Sequence, residues 1–375
     1  MKMQRGGLVM NSSNNDLPGF SVGMEAYNRG DLARALAIWT PLAEQGDLNA
    51  QCWLAYMYDN GKGVPQDFKV SSRWFRMAAD KGDAWAQFNL GCMYDRGEGV
   101  SQSYRKAAEW YLKAAQQGDA AAQFNLGQMY KMGHGVLKDF KAALAWYDTA
   151  AKNGYCEAQV YLGIYYEEGK SVIKDLAKAA EWYLKAAKQG DALAQCSIAT
   201  MCRKGQGRSR DYGEALIWYR KSAEQGYELA QLFLGLMYEE GLGVVPDLGE
   251  ALKWYWKAAQ QGNTEAQFCL GVMLVNGEGV SRNQKEASRW FRKAADQGHK
   301  KAGRYLKMCN TGNLSGIYRY TPSCKVIRGD GEEIIMSKDE VQDLIASSKI
   351  TAVRWESNPE KMAKWKGVLA KPAKN

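Results

Sequence analysis

The chain has 375 residues, 46% of them hydrophobic, with 13 Trp and 21 Tyr against only 7 Pro. That mixture excludes a disordered or Pro-rich chain and suits packed helices. The net charge of +9 is spread along the sequence, which argues against a nucleic-acid partner, and no apolar run approaches the roughly 20 residues of a membrane span.

Residues 1–18 read as a disordered leader. Their only apolar run, Leu8-Val9-Met10, falls short of the roughly 7 to 15 apolar residues of a secretion signal. The expected location is therefore cytoplasmic. Residues 19–309 read as one repeat array, opening with a short helical hairpin over 20–46 that carries Trp39. From 47 to 298 the chain repeats every 36 residues, seven times, without insertion. Ala50-Gln51 returns at Ala86-Gln87, Ala122-Gln123, Ala158-Gln159, Ala194-Gln195, Ala230-Gln231 and Ala266-Gln267. A fixed period of this length marks stacked units whose product is a long binding surface, not an enclosed pocket.

The unit from Asp83 to Gly118 shows how each repeat is built. Ala86, Leu90, Met93 and Tyr94 are spaced as one amphipathic helical face, and Ala107, Trp110, Tyr111, Ala114 and Ala115 as a second. Asp67, Ser103, Asp139, Asp175, Asp211, Asp247 and Asn283 precede the second helices as side-chain caps. Gly82, Gly118, Gly154, Gly190, Gly226, Gly262 and Gly298 end them. The unit is a helical hairpin and the array an all-α solenoid.

Residues 299–309 read as a terminal capping helix, made wetter by Lys300, Lys301, Arg304 and Lys307. Beyond them, 310–375 leave the period. Cys324–Arg328 and Glu333–Met336 read as strands around a glycine turn. A helix over Lys338–Ser347 and a strand over Ile350–Trp355 complete an expected small ββαβ, α+β module with a basic tail.

The second copy carries Gln87, Leu90, Gly91, Tyr94, Gly97, Gly99, Val100, Ala107, Trp110, Tyr111, Lys113, Ala114, Ala115 and Gly118. This pattern resembles the Sel1-like repeat, a relative of the tetratricopeptide repeat, over about residues 20–309. The resemblance implies an α-solenoid and an adaptor or scaffold, and it implies no reaction. By the same analogy, first helices line the concave side.

No sequence constellation for catalysis stands out. There are two histidines, His134 and His299, and neither a paired-cysteine metal spacing nor a nucleophile elbow is present. No cofactor, metal site or catalytic residue is expected. The eight cysteines lack a common offset in the repeat, so free thiols in a reducing compartment are expected.

Function should reside where copies differ and the fold does not dictate the residue. On one face of the first helices the varying residues include Trp53, Tyr56, Trp85, Asn89, Asn125, Gln128, Tyr161, Phe233 and Leu236. Such a face suits an extended peptide or a partner helix. In the fifth copy Arg203, Lys204, Arg208 and Arg210 form a basic knot, a docking point for an acidic segment. The expected function is a non-catalytic, bacterial, cytoplasmic adaptor for a protein or peptide. The alternatives are a secreted effector that binds a host protein and a regulator acting on an enzyme through the C-terminal module.

Overall fold

A computed structural model describes residues 19–169, 171–312 and 314, together with the segments 323–327, 333–337 and 367–368. Among the described residues seventeen helices follow one another: α1 (Phe20–Asn28), α2 (Leu32–Glu44), α3 (Leu48–Asn60), α4 (Phe68–Asp80), α5 (Ala84–Arg96), α6 (Tyr104–Gln116), α7 (Ala120–Met132), α8 (Phe140–Lys152) and α9 (Cys156–Glu168). They continue as α10 (Leu176–Lys188), α11 (Ala192–Lys204), α12 (Tyr212–Glu224), α13 (Glu228–Glu240), α14 (Leu248–Gln260), α15 (Thr264–Asn276), α16 (Gln284–Asp296) and α17 (Lys300–Thr311). Odd-numbered helices are the first arms of the hairpins. The chain divides into two compact units, residues 1–194 and 195–375.

The helix starts follow the sequence pattern. All seven residues expected to cap second helices accept a first-turn amide through the side chain, which satisfies donors the helix cannot. First helices are capped in the same way by Asp47, Asp83, Asp119, Asp191 and Asn263. The fourth and sixth repeats differ. There the position is Tyr155 or Tyr227, and neither makes a side-chain cap.

The recurring glutamine is a buried tie between hairpins. Gln123 Nε2 donates to the Ala115 carbonyl at 3.0 Å, and its Oε1 accepts from Asn153 Nδ2 at 2.9 Å. Gln87, Gln159, Gln231 and Gln267 make the same pair of bonds. An amide that meets both its needs inside the fold is compatible with burial. In the first repeat Lys81 replaces the donor and turns to the Gly46 carbonyl, so Gln51 Oε1 has no protein partner.

The core is a column of rings on the second helices. Trp39, Phe75, Tyr111, Tyr147, Tyr183, Tyr219, Tyr255 and Phe291 are all fully buried. Glycines let the first helices approach these rings: a Cβ at Gly91, Gly127, Gly163, Gly235 or Gly271 would lie 2.5–2.8 Å from a ring carbon. α17 closes the array, with Ala302, Tyr305 and Cys309 buried and His299 capping it through a bond from the Ala302 amide.

Beyond α17, β1 (Ser323–Ile327) pairs antiparallel with β2 (Glu333–Ser337), as the sequence led one to expect. β1 also pairs in parallel with β3 (Gly367–Val368). The expected helix over 338–347 and strand over 350–355 lie outside the described residues. An α+β module is therefore not supported: the third pairing partner comes from 367–368, and the described fold is a helical repeat solenoid.

Candidate binding face

On five of the seven second helices a lysine lies over a tryptophan of the same helix. Lys113 lies over Trp110, Lys185 over Trp182, Lys221 over Trp218, Lys257 over Trp254 and Lys293 over Trp290, at 3.9–4.6 Å from the ring centroid. These are i,i+3 pairs along one helix face and support the helix that carries them. The varied chemistry is on the first helices.

At the start of the first unit an aromatic row runs from α1 to α5. Tyr27 meets Trp53 edge-on at 5.0 Å, Trp53 meets Tyr56 at 5.6 Å, and Tyr56 approaches Trp85 at 6.2 Å. Trp53 also packs on Trp39 at 5.5 Å and is only 4% exposed. It is core, whereas Tyr56 and Trp85 remain half-buried. Asn89, also half-buried, donates to the Trp85 carbonyl. The exposed Lys62 donates to the hydroxyls of Tyr27 and Tyr56 at 3.0 and 3.1 Å. Those bonds to Tyr27 and then Tyr56 raise its pKa above the ordinary lysine range, so it stays a cation.

Further along the same unit, Tyr161 stands between Phe124 at 5.3 Å and Tyr147 at 5.7 Å. Lys131 Nζ lies 5.2 Å above the Tyr161 ring and 5.7 Å above Tyr165. Gln128 and Tyr161 are half-buried, while Asn125 is 1% exposed and belongs to the core.

In the second unit Arg203 lies over Phe233 at 5.2 Å and its Nε donates to the Tyr219 hydroxyl at 3.4 Å. Phe233 and Leu236 are half-buried. Burial raises the pKa of nearby Glu240 and the charge of Arg203 lowers it, with burial dominant. The basic knot is split: Arg208 is bound to Glu214 by an ion pair and Arg203 is seated on rings, while Lys204 and Arg210 are exposed.

Sequence reasoning placed the aromatics, named Arg203 only as part of a basic knot, and passed over Lys62 and Lys131. Lys62, Lys131 and Arg203 come from the neighbouring hairpin or loop, a relation that only the stacked geometry reveals. The signal was present in part, because Lys131 and Arg203 are 72 residues apart, as are Tyr161 and Phe233.

Among the described residues no group of His, Cys, Asp and Glu is arranged to hold a metal ion. Burial pushes the thiols of Cys156 and Cys202 up to about 11 and that of Cys196 up to about 12. A thiol held protonated is a poor nucleophile at neutral pH. No helix of the described residues is long and apolar enough to cross a membrane.

The model of the Sel1 repeat matches seven consecutive stretches, 48–83, 86–119, 120–155, 156–191, 192–227, 229–263 and 264–299. The chain belongs to the Sel1 repeat family. Sel1 repeat proteins are generally non-catalytic scaffolds for protein interactions. Among solved structures, this Sel1 repeat chain is 37% identical to c5321, a protective antigen present in uropathogenic Escherichia coli strains, with a TM-score of 0.74. That alignment covers 78% of this chain and 64% of the antigen, so the chain spans less than two thirds of that relative. A Sel1 repeat protein from Oxalobacter formigenes is 36% identical, with a TM-score of 0.58 over 64% of this chain and 99% of that one. No curated protein sequence matches the chain.

Proposed function

We propose that this Sel1 repeat protein is a non-catalytic bacterial adaptor that binds an extended segment of another protein on the exposed face of its first helices. One observation carries the reading. Trp85, Tyr161 and Phe233 are half-exposed large rings, in columns where other copies hold residues such as Ala121 and Glu157, or Asn89, Asn125 and Ser197. Rings that the fold does not require are natural anchors, because they bury much apolar area at low entropic cost. The lack of a common offset among the cysteines supports action in a reducing compartment, with the cytoplasm as the proposed site.

The test is a pull-down read by mass spectrometry, comparing the wild-type chain with the Trp85→Ala/Tyr161→Ala double variant. Partners bound by the wild type should be lost from the variant while its far-UV circular dichroism stays near that of the wild type. Full capture by the variant would remove the face from consideration. A second reading, a secreted effector using the same face on a host protein, draws support from the antigen description of the Escherichia coli relative. Fractionation of culture supernatants separates the two.

A further inference from the structure

The loop after α3 carries a cation that the described fold leaves without a counter-ion. Gly61 and Gly63, with φ of 65° and 72°, flank Lys62 in the tight turn that ends the helix. The turn recurs along the array, but the residue between its glycines varies, with Glu98, His134, Gln206, Leu242 and Glu278 in other described copies. Lys62 Nζ donates to the hydroxyls of Tyr27 and Tyr56 at 3.0 and 3.1 Å and lies 5.7 and 5.0 Å from their ring centroids. It makes no ion pair with any described residue. Of the carboxylates close in sequence to the two tyrosines, Glu25 is paired with Arg29 and Asp59 is buried.

The two phenols are as particular to this place as the lysine. Tyr27 belongs to the leading hairpin, outside the strict period, and the column of Tyr56 holds Cys92, Gln128, Ile164, Thr200, Leu236 and Val272 in the other copies. The bonding also fixes where the protons are. An ammonium has three donors and no acceptor, so both phenols accept from it and each keeps its own O–H to give elsewhere. Neither hydroxyl has another partner among the described residues. Lys62 is exposed and the two tyrosines are half-buried, so the cluster lies at the surface. Three donor groups, one of them charged, therefore meet at one accessible point. The ring row adjoins it, since Tyr56 leads on to the half-buried Trp85 at 6.2 Å.

We propose that Lys62, with the hydroxyls of Tyr27 and Tyr56, receives an Asp or Glu side chain of the bound partner segment, while a neighbouring apolar residue of that segment rests on Tyr56 and Trp85. The argument is complementarity of charge and of hydrogen bonding. An ionised carboxylate offers about four lone-pair sites and no donor, and charge-assisted bonds to it are the strong ones. One ammonium balances one carboxylate. A phosphate group, with nearly two charges, would call for a second cation, and Arg29, two residues beyond Tyr27, is engaged by Glu25. The phenols hold the ammonium in position before the partner arrives, which limits the side-chain freedom lost on binding. The site rests on the reading of the first-helix face as a peptide-binding surface and specifies one residue of the peptide.

The full-length chain is used to select binders from a random dodecapeptide display library. The wild type should enrich peptides with Asp or Glu at one fixed position beside a large apolar residue. Affinity is then read by fluorescence anisotropy with a labelled synthetic copy, amidated at its C-terminus. Lys62→Met should bind it at least about tenfold more weakly, and Tyr27→Phe about threefold more weakly, with far-UV circular dichroism unchanged in both. A Lys62→Glu chain should regain affinity when the peptide's acid is replaced by lysine, a rescue that a merely unfolded variant cannot give. Selected peptides that are lost from the Trp85→Ala/Tyr161→Ala variant but show no acidic position, or that bind Lys62→Met unchanged, would overturn the site and leave the face reading standing. Peptides that bind only with a free C-terminal carboxylate would overturn it as a seat for a side chain. Failure to select any peptide would overturn both readings.

Discussion

Gly127→Val probes the packing on which the array depends. A Cβ at Gly127 would lie 2.8 and 2.9 Å from Tyr147 Cε1 and Cδ1, and 3.2 Å from the Ala143 carbonyl oxygen. Tyr147 is fully buried between neighbouring rings, so it has little room to retreat. Alanine is the informative control. It relieves a glycine penalty of about 1 kcal/mol in a helix, and Ala55 and Ala199 hold the same position in the first and fifth repeats. The gain and the clash should nearly cancel for Gly127→Ala. Valine adds two more methyl groups against the ring, and overpacking of this kind costs about 1–3 kcal/mol. For a unit of this size that lowers the melting temperature by roughly 2–4 °C per kcal/mol. Thermal unfolding followed by circular dichroism at 222 nm should show a drop of several degrees for valine and little change for alanine. Repeat arrays need not unfold in two states, so the lowest-melting transition is the one to compare. An unchanged melting curve for Gly127→Val would mean that the helix does not face the ring, and the packing described here would be wrong.

Gln123→Leu strips the Ala115 carbonyl and Asn153 of their partner, and should cost about 1–3 kcal/mol in urea unfolding. A neutral result would show that the inter-hairpin tie is not what keeps this residue polar. Arg208→Glu should destabilise the loop before α12 by opposing Glu214, while Lys204→Glu and Arg210→Glu leave the melting curve within about half a kcal/mol of wild type; equal losses from all three would mean that the ion pair does not matter. The raised pKa values of Cys52, Cys156, Cys196, Cys202, Cys269 and Cys309 lower their thiolate fraction at pH 8, so labelling of these six by an aromatic disulfide reagent should be slow until denaturant is added. Labelling should quicken as the pH rises towards 11. Rapid modification at pH 8 of any of these six thiols would contradict this.

The fold was legible because its causes are local and recur. The cap before each second helix, the glycine after it and the glycine or alanine facing each ring are dictated within one hairpin, and 36-residue phasing exposes them. What the sequence hid depends on contacts between hairpins. Trp53 looked like a free ring because its phase mates are Asn89, Asn125 and Ser197. In the structure, Tyr27 and Trp39 from the leading hairpin, which lies outside the strict period, bury it. Asn125 is likewise 1% exposed, although its column varies between copies. Lys62 and Lys131 were missed because their rings belong to another helix or hairpin, and the 72-residue echo of Lys131 in Arg203 is only a partial signal. Arg208 looked like part of a free basic patch because its partner, Glu214, lies beyond the loop on the next helix.

The claim that the first-helix face takes the partner can be tested directly with a photo-crosslinking amino acid at one position per chain. Gln128 lies on that face, and Leu112, 37% exposed, on the solvent side of α6. With a peptide selected by the wild-type chain, irradiation should yield a covalent adduct from position 128 and none from position 112. Adducts from position 112 with none from 128 would place the partner on the second helices and contradict the account.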